Sequence, residues 1–140
     1  MLTTDEPLLL RHDDERGVVT LTMNRPQAFN SLSEAMIEAL QTELDRLAQD
    51  TKVRVVVIGG AGKAFCAGHD LREMRAEPSQ AYYEDLFARC GCMMMAIQKL
   101  PVPVIARVHG IATAAGCQLV ASCDLAVAAE AARFATPGVN

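Results

Sequence analysis

The chain has 140 residues, a net charge of −4 and 51% hydrophobic residues, enough for one domain with a core of its own. It carries no basic run, which argues against nucleic acid as a partner. Its apolar stretches are short, the run 104–108 being broken by Arg107, so no membrane-spanning segment is expected. The five cysteines Cys66, Cys90, Cys92, Cys117 and Cys123 sit in apolar or small-residue settings and read as reduced core residues. Cys90-Gly91-Cys92 lacks both Cys-x-x-Cys spacing and histidine partners, so no metal site is expected. Residues 1–7 are acidic early and show neither signal-peptide nor Arg-rich transit features, and the location expected is cytoplasmic.

In chain order, residues 1–14 read as a polar N-terminal segment and 15–140 as the domain. Residues 17–24 alternate as a strand. Ser31 with Glu34 offers a capping box for a helix over 33–50, whose Met36, Ile37, Leu40, Leu44 and Leu47 form one apolar face. Residues 53–60 read as a buried strand. The connection after it holds Gly59, Gly60, Gly62 and Gly68, and a helical turn is expected to begin within 67–71. A second helix, about 79–100, places Tyr83, Phe87, Cys90, Met94 and Ile97 on one face and ends at Pro101 and Pro103. Met93, Met94 and Met95 read as core, the alternative being the lining of a tunnel for a flexible apolar ligand. A β-branched strand follows over 102–109, then a block of small residues opening a helix, then a short strand over 124–128. Strands alternating with helices predict an α/β fold with parallel pairing.

Two of these junctions carry chemistry. After His109-Gly110, the small residues Ala112, Ala114, Ala115 and Gly116 start a helix whose free N–H groups and dipole face a point above the strand. Ala67-Gly68-His69-Asp70-Leu71 repeats that arrangement after the preceding strand. Two such donors suit one oxygen on which negative charge develops. Tight packing alone would also account for either segment taken singly.

The motifs Asn24-Arg25-Pro26 with Asn30-Ser31-Leu32, Ala64-Phe65-Cys66-Ala67-Gly68-His69-Asp70-Leu71, Pro101-Val102-Pro103, His109-Gly110 with Ala114-Ala115-Gly116-Cys117, and Cys123-Asp124 with Phe134 and Pro137 stand in an order that resembles the enoyl-CoA hydratase/isomerase (crotonase) superfamily. Within it the wording is most similar to the enoyl-CoA hydratase domain-containing protein 3 group. The resemblance spans roughly residues 15–140. It implies a right-handed spiral of ββα units, here incomplete and lacking a C-terminal helical trimerisation segment, so that 15–140 is a partial acyl-CoA-binding domain. The end at 136–140 is accordingly read as the end of an N-terminal portion. The partner implied is an acyl-CoA thioester, with coenzyme A part of the substrate and no separate cofactor. A longer form is expected to be a homo-trimer or dimer of trimers. The resemblance assigns the oxyanion donors to the backbone N–H groups of His69 and Ala115. It places Arg25, Ala28, Lys63, Ala64, Ala67, Asp70 and Leu71 near the coenzyme A moiety, with carbonyls of 64–67 on the adenine and Arg25 or Lys63 on phosphates.

This chain also departs from the family pattern. Hydratases of the superfamily use two glutamates, and the matching positions here are Gln118 and Gly138. An amide cannot take a proton from water and glycine has no side chain. Acid–base catalysis is worth about 10²–10⁴-fold, so ordinary hydration is expected to be nearly lost. The alternatives are a catalytically inactive acyl-CoA-binding protein or a non-functional fragment. His69 is the candidate substitute base, its imidazole titrating near neutrality, although its matched role is through the backbone. His109 reads as structural, and Asp70 and Asp124 as caps or turn formers. Nothing in the sequence beside Cys66 lowers its pKa, so it is not expected to act as a nucleophile.

Overall fold

The computed structural model describes residues 6–138; residues 1–5 and 139–140, on which part of the leader and chain-end readings rests, lie outside it. Eight strands form two sheets. The first has the order β1 (Leu9–Asp13), β2 (Val18–Met23), β3 (Val55–Gly60), β5 (Val104–Val108), β7 (Leu125–Ala128). The second has the order β4 (Ala64–Cys66), β6 (Ile111–Thr113), β8 (Arg133–Ala135). All pairings are parallel except β1 with β2. From β3 onward each pass of the chain adds one strand to the first sheet and the next to the second, with helices between passes. The fold is therefore mixed α/β, as expected.

β2 forms because β-branched and apolar residues alternate, burying Val19, Leu21 and Met23, with Val19 opposite Val56 and Leu21 opposite Ile58. α1 (Glu34–Gln49) covers that face with the five residues its 3.6-residue spacing predicts. Its cap differs from expectation. Ser33 accepts the Met36 N–H at 3.2 Å, Glu34 is the first helical residue rather than the fourth of a box, and Ser31 instead meets Arg25. The free Glu34 N–H goes to the Glu73 carboxylate at 2.7 Å.

Two further expectations change. Leu9–Asp13, read as part of a polar lead-in, is an edge strand, its polarity matching its exposure. Arg11 ties it down, reaching Asp13 at 2.8 Å and Glu43 and Asp50 at 3.3 Å. In α3 (Gln80–Lys99) the buried face is Leu86, Cys90, Met93, Met94 and Ile97, while Phe87 is 49% exposed. The stripe is rotated because Phe87 packs on His69 instead of the core. Met93 and Met94 are core residues as expected, whereas Met95, also expected there, is 46% exposed. Asp124 accepts the Val104 N–H at 2.8 Å, fixing the entry to β7, in keeping with its turn-forming reading.

Candidate active site

Because β4 and β6 are parallel neighbours, the two loops leaving their C-terminal ends lie side by side. Glycine makes that approach possible at two positions. Gly68 has φ +92, and a Cβ there would lie 3.1 Å from the Ala114 Cβ and 3.2 Å from the Ala115 nitrogen. A Cβ on Gly116 would lie 2.1 Å from the Cys66 carbonyl oxygen. The two N–H-bearing segments read from the sequence are thus in direct contact.

Peptide geometry sets where their N–H groups point. The Gly68 carbonyl accepts the Leu32 N–H at 2.7 Å, and the trans peptide sends the His69 N–H to the opposite side. The Ala114 carbonyl accepts from Cys117 and Gln118 at 3.0 and 3.1 Å, so it opens α4 (Ala115–Ser122), and the Ala115 N–H leaves through the mouth of that helix. Among the described residues neither N–H has an acceptor. Ala114 sits at φ 53, ψ −125 with no side-chain cap, a conformation that costs a non-glycine residue about 1–3 kcal/mol and is typical of functional sites. α2 (Leu71–Ala76) starts at the last residue of the expected 67–71 segment, and Asp70 caps it by accepting the Arg72 and Glu73 N–H groups at 3.1 and 3.2 Å. The His69 N–H therefore belongs to an extended segment bridged to Leu32 and not to a helix mouth.

The support beneath this surface runs through Asn30, which is fully buried at φ 53. Its Oδ1 accepts the Arg25 N–H at 2.8 Å, and its Nδ2 donates to the carbonyls of Ala61 and Ala64 at 2.9 and 3.0 Å. The Ala67 N–H donates to the Phe29 carbonyl at 3.0 Å. The short 3-10 turn Pro26–Ala28, which holds Ala28, is thereby fastened to β4 and to the His69 segment. The Arg25 guanidinium lies 2.8 Å from Asp70 and 3.2 Å from Ser31. Burial would raise the Asp70 pKa, but the Arg25 hydrogen bond and charge and the two capping N–H groups outweigh it and hold it below the usual range. Arg25 is thus engaged with Asp70, whereas the exposed Lys63 has no ion pair among the described residues. The carbonyls of Ala64 and Cys66 are turned to Asn30 and Gly116. Leu71 is 63% exposed.

The His69 imidazole is half-buried, its ring meeting Phe87 edge to face with centroids 5.1 Å apart. Its Nδ1 is sealed without a partner, and burial lowers its pKa. Gln118 is exposed on α4 and Gly138 is exposed with open space around it, so the structure brings no carboxylate to either position. Burial pushes the Cys66 thiol up to about 11, the opposite of what a nucleophile needs. His109 donates to or accepts from nothing catalytic, its Nε2 lying 2.7 Å from the Gly62 carbonyl. Sequence reasoning gave Asn30 no role and put Phe87 in the core. For the first, the sequence offered only the residue type: an asparagine, which tolerates left-handed backbone, between a proline and a helix cap.

Residues 13–140 match the enoyl-CoA hydratase/isomerase family, and the chain belongs to that family. A mitochondrial enoyl-CoA hydratase domain-containing protein 3 from Xenopus laevis is 50% identical over 126 residues, covering 90% of this chain and 43% of that protein. The crystal structure of an enoyl-CoA hydratase from Mycobacterium smegmatis superposes with a TM-score of 0.94 at 72% identity, over 96% of this chain and 52% of that one. The human enoyl-CoA hydratase domain-containing protein 3 gives 0.88 at 43% identity, over 95% and 52%. The chain spans about half the length of the relatives it matches. The cytoplasmic expectation is corrected by relatives from frog, rat and human that are mitochondrial by name. Unpaired cysteines separate reducing from oxidising compartments but do not tell one reducing compartment from another.

Proposed function

We propose that this chain binds an acyl-CoA thioester and stabilises negative charge on its carbonyl oxygen through the backbone N–H groups of His69 and Ala115. The observation that carries the reading is the pair of N–H groups without acceptors, on two loops held in contact by Gly68 and Gly116. Preorganised donors of this kind stabilise an enolate because they need no reorganisation as charge develops. Lys63, without an ion pair among the described residues, supplies a cation for the phosphates, with Ala67, Leu71 and Ala28 beside it, while the buried Ala64 supports them from beneath. Arg25 acts first on Asp70, keeping the start of α2 in place, and reaches phosphate only by sharing its guanidinium. Ordinary two-carboxylate hydration is not supported by Gln118 and Gly138. A binding protein without turnover is the second reading, favoured by that same absence. A longer form of the protein is expected to assemble as a trimer or dimer of trimers.

The test compares Ala115→Pro, which removes the N–H, with Ala115→Gly, which keeps it. Proline is tolerated in the first turn of a helix, and circular dichroism checks the fold. Removing one such donor costs about 2.7–4 kcal/mol of transition-state stabilisation. The proline variant is expected to lose acyl-CoA turnover by 10²–10³-fold, or in a protein without turnover to bind hexanoyl-CoA more weakly, while the glycine variant stays near the parent. A folded proline variant that handles acyl-CoA like the parent refutes the assignment.

A further inference from the structure

We propose that the imidazole of His69 is the proton-transfer group of this site, working at the carbon next to the thioester carbonyl. The inference rests on the acyl-CoA reading above and adds a role for the side chain of a residue otherwise used through its backbone. Its N–H and Cβ share one Cα, so a carbonyl oxygen held by that N–H brings the neighbouring carbons within reach of the ring. Phe87, itself 49% exposed, meets the half-buried His69 ring edge to face with centroids 5.1 Å apart. With Nδ1 sealed, Nε2 is the nitrogen open to a ligand, and it has no hydrogen-bond partner among the described residues.

The other titratable groups nearby are committed. Asp70 is held by Arg25 and caps α2; Glu73 accepts the Glu34 N–H; Glu34 pairs with Arg89; the Cys66 thiol is pushed up to about 11. Burial lowers the His69 pKa; the charged groups on the neighbouring elements are Arg25 and Asp70, Arg72, Glu73 and Arg75 of α2, and Glu84, Asp85 and Arg89 of α3. The ring is therefore neutral at pH 7, the form that accepts a proton.

The step balances without water or any redox partner. On a β,γ-unsaturated thioester, Nε2 takes a proton from the α-carbon. The C–H electron pair forms the new carbon–carbon π bond, and the carbonyl π pair moves onto the oxygen facing the two N–H groups. The β,γ π pair then takes the proton back from the imidazolium at the γ-carbon, the enolate C=C pair moves to join the α- and β-carbons, the oxygen pair re-forms the carbonyl, and the double bond ends next to it. The enzyme recovers a neutral imidazole.

The experiment uses 3-hexenoyl-CoA in D₂O, following deuterium uptake and formation of the conjugated thioester, with hexanoyl-CoA binding measured separately by calorimetry. The parent is expected to exchange and isomerise, its kcat falling as pH drops through a value below 6.5. His69→Gln keeps the backbone N–H, so hexanoyl-CoA binding and KM should hold. Its kcat should fall about 10²–10⁴-fold, with the acid inflection gone. His69→Ala should recover part of the rate with added imidazole. Exchange by His69→Gln at the parental rate with the parental pH profile overturns the proposal. So does a parent that binds hexanoyl-CoA yet exchanges no proton, which leaves the acyl-CoA reading standing. A parent that binds no hexanoyl-CoA overturns that reading and this proposal together.

Discussion

Two glycines, each inside a helix, predict opposite outcomes for the same substitution. Gly116 lies in the first turn of α4, where an added Cβ would stand 2.1 Å from the Cys66 oxygen and 2.7 Å from its carbonyl carbon. Ordinary contact begins at 3.4 Å, so the helix start must withdraw from β4 by about 1 Å, and both obstructing atoms are backbone. Overpacking of this kind costs about 1–3 kcal/mol. The same displacement opens the gap between the Ala115 and His69 N–H groups, and a 1 Å misplacement at a reacting centre costs about 10²-fold. Gly91, in the middle of α3, has nothing within 4 Å of its Cβ position. There alanine gains helix propensity and should stabilise by about 0.5–1 kcal/mol. Urea denaturation at low concentration, with calorimetric binding of hexanoyl-CoA, reads both effects. Gly116→Ala should lower the midpoint and weaken binding, while Gly91→Ala should raise the midpoint and leave binding alone. A Gly116→Ala protein as stable and as competent as the parent would refute the contact between the two loops.

Asn30→Ala removes the three hydrogen bonds of a buried side chain, worth about 1 kcal/mol each, so a loss of about 3 kcal/mol is expected by urea denaturation; a loss below 1 kcal/mol would show that Asn30 does not hold the loops. The Asp70 carboxyl is held below its usual range in the fold, so its contribution is full above about pH 4 and is lost as pH falls through the lower folded value. Asp70→Asn should therefore flatten the acid limb of a stability–pH curve, and an unchanged limb would contradict the Arg25 pairing. Gln118→Glu alone should not create crotonyl-CoA hydration, because position 138 still lacks a carboxylate; a hundredfold rise would sink that argument. Leu125 and Val127, 61% and 63% exposed on the edge strand β7, should drive association of the 140-residue chain. Leu125→Lys with Val127→Lys should shift it toward monomer in light scattering, and no shift would exonerate that edge.

What was legible in the sequence follows from how local each feature is. The buried face of α1 and the strand at 18–23 are periodic, and both emerge at the expected residues. β1 was missed because an edge strand needs no apolar alternation, and Arg11, His12 and Asp13 disguise it. β8 is three residues long and among the described residues pairs only with β6, too short for any period. The division into two sheets depends on the turn at Gly62, φ +78, which sends β4 away from β3; nothing in the apolar pattern marks it. For the site, the glycine-rich loops announced backbone N–H chemistry, but their contact is a product of β4–β6 adjacency. The bonds of Asn30 reach backbone atoms 31 and 34 positions along the chain, where no residue type records them. Phe87 fell on the predicted apolar stripe, and only the fold shows that its neighbour is His69.

The central claim is that the His69 and Ala115 N–H groups polarise a thioester carbonyl. Isotope-edited infrared spectroscopy of carbonyl-labelled hexanoyl-CoA, free and bound, reads that polarisation without requiring turnover. Two donors on one oxygen weaken the C=O bond, so the bound band should move to lower frequency in the parent and in Ala115→Gly, and move back toward the free position in Ala115→Pro. A bound carbonyl band at the free frequency in the parent would contradict the account.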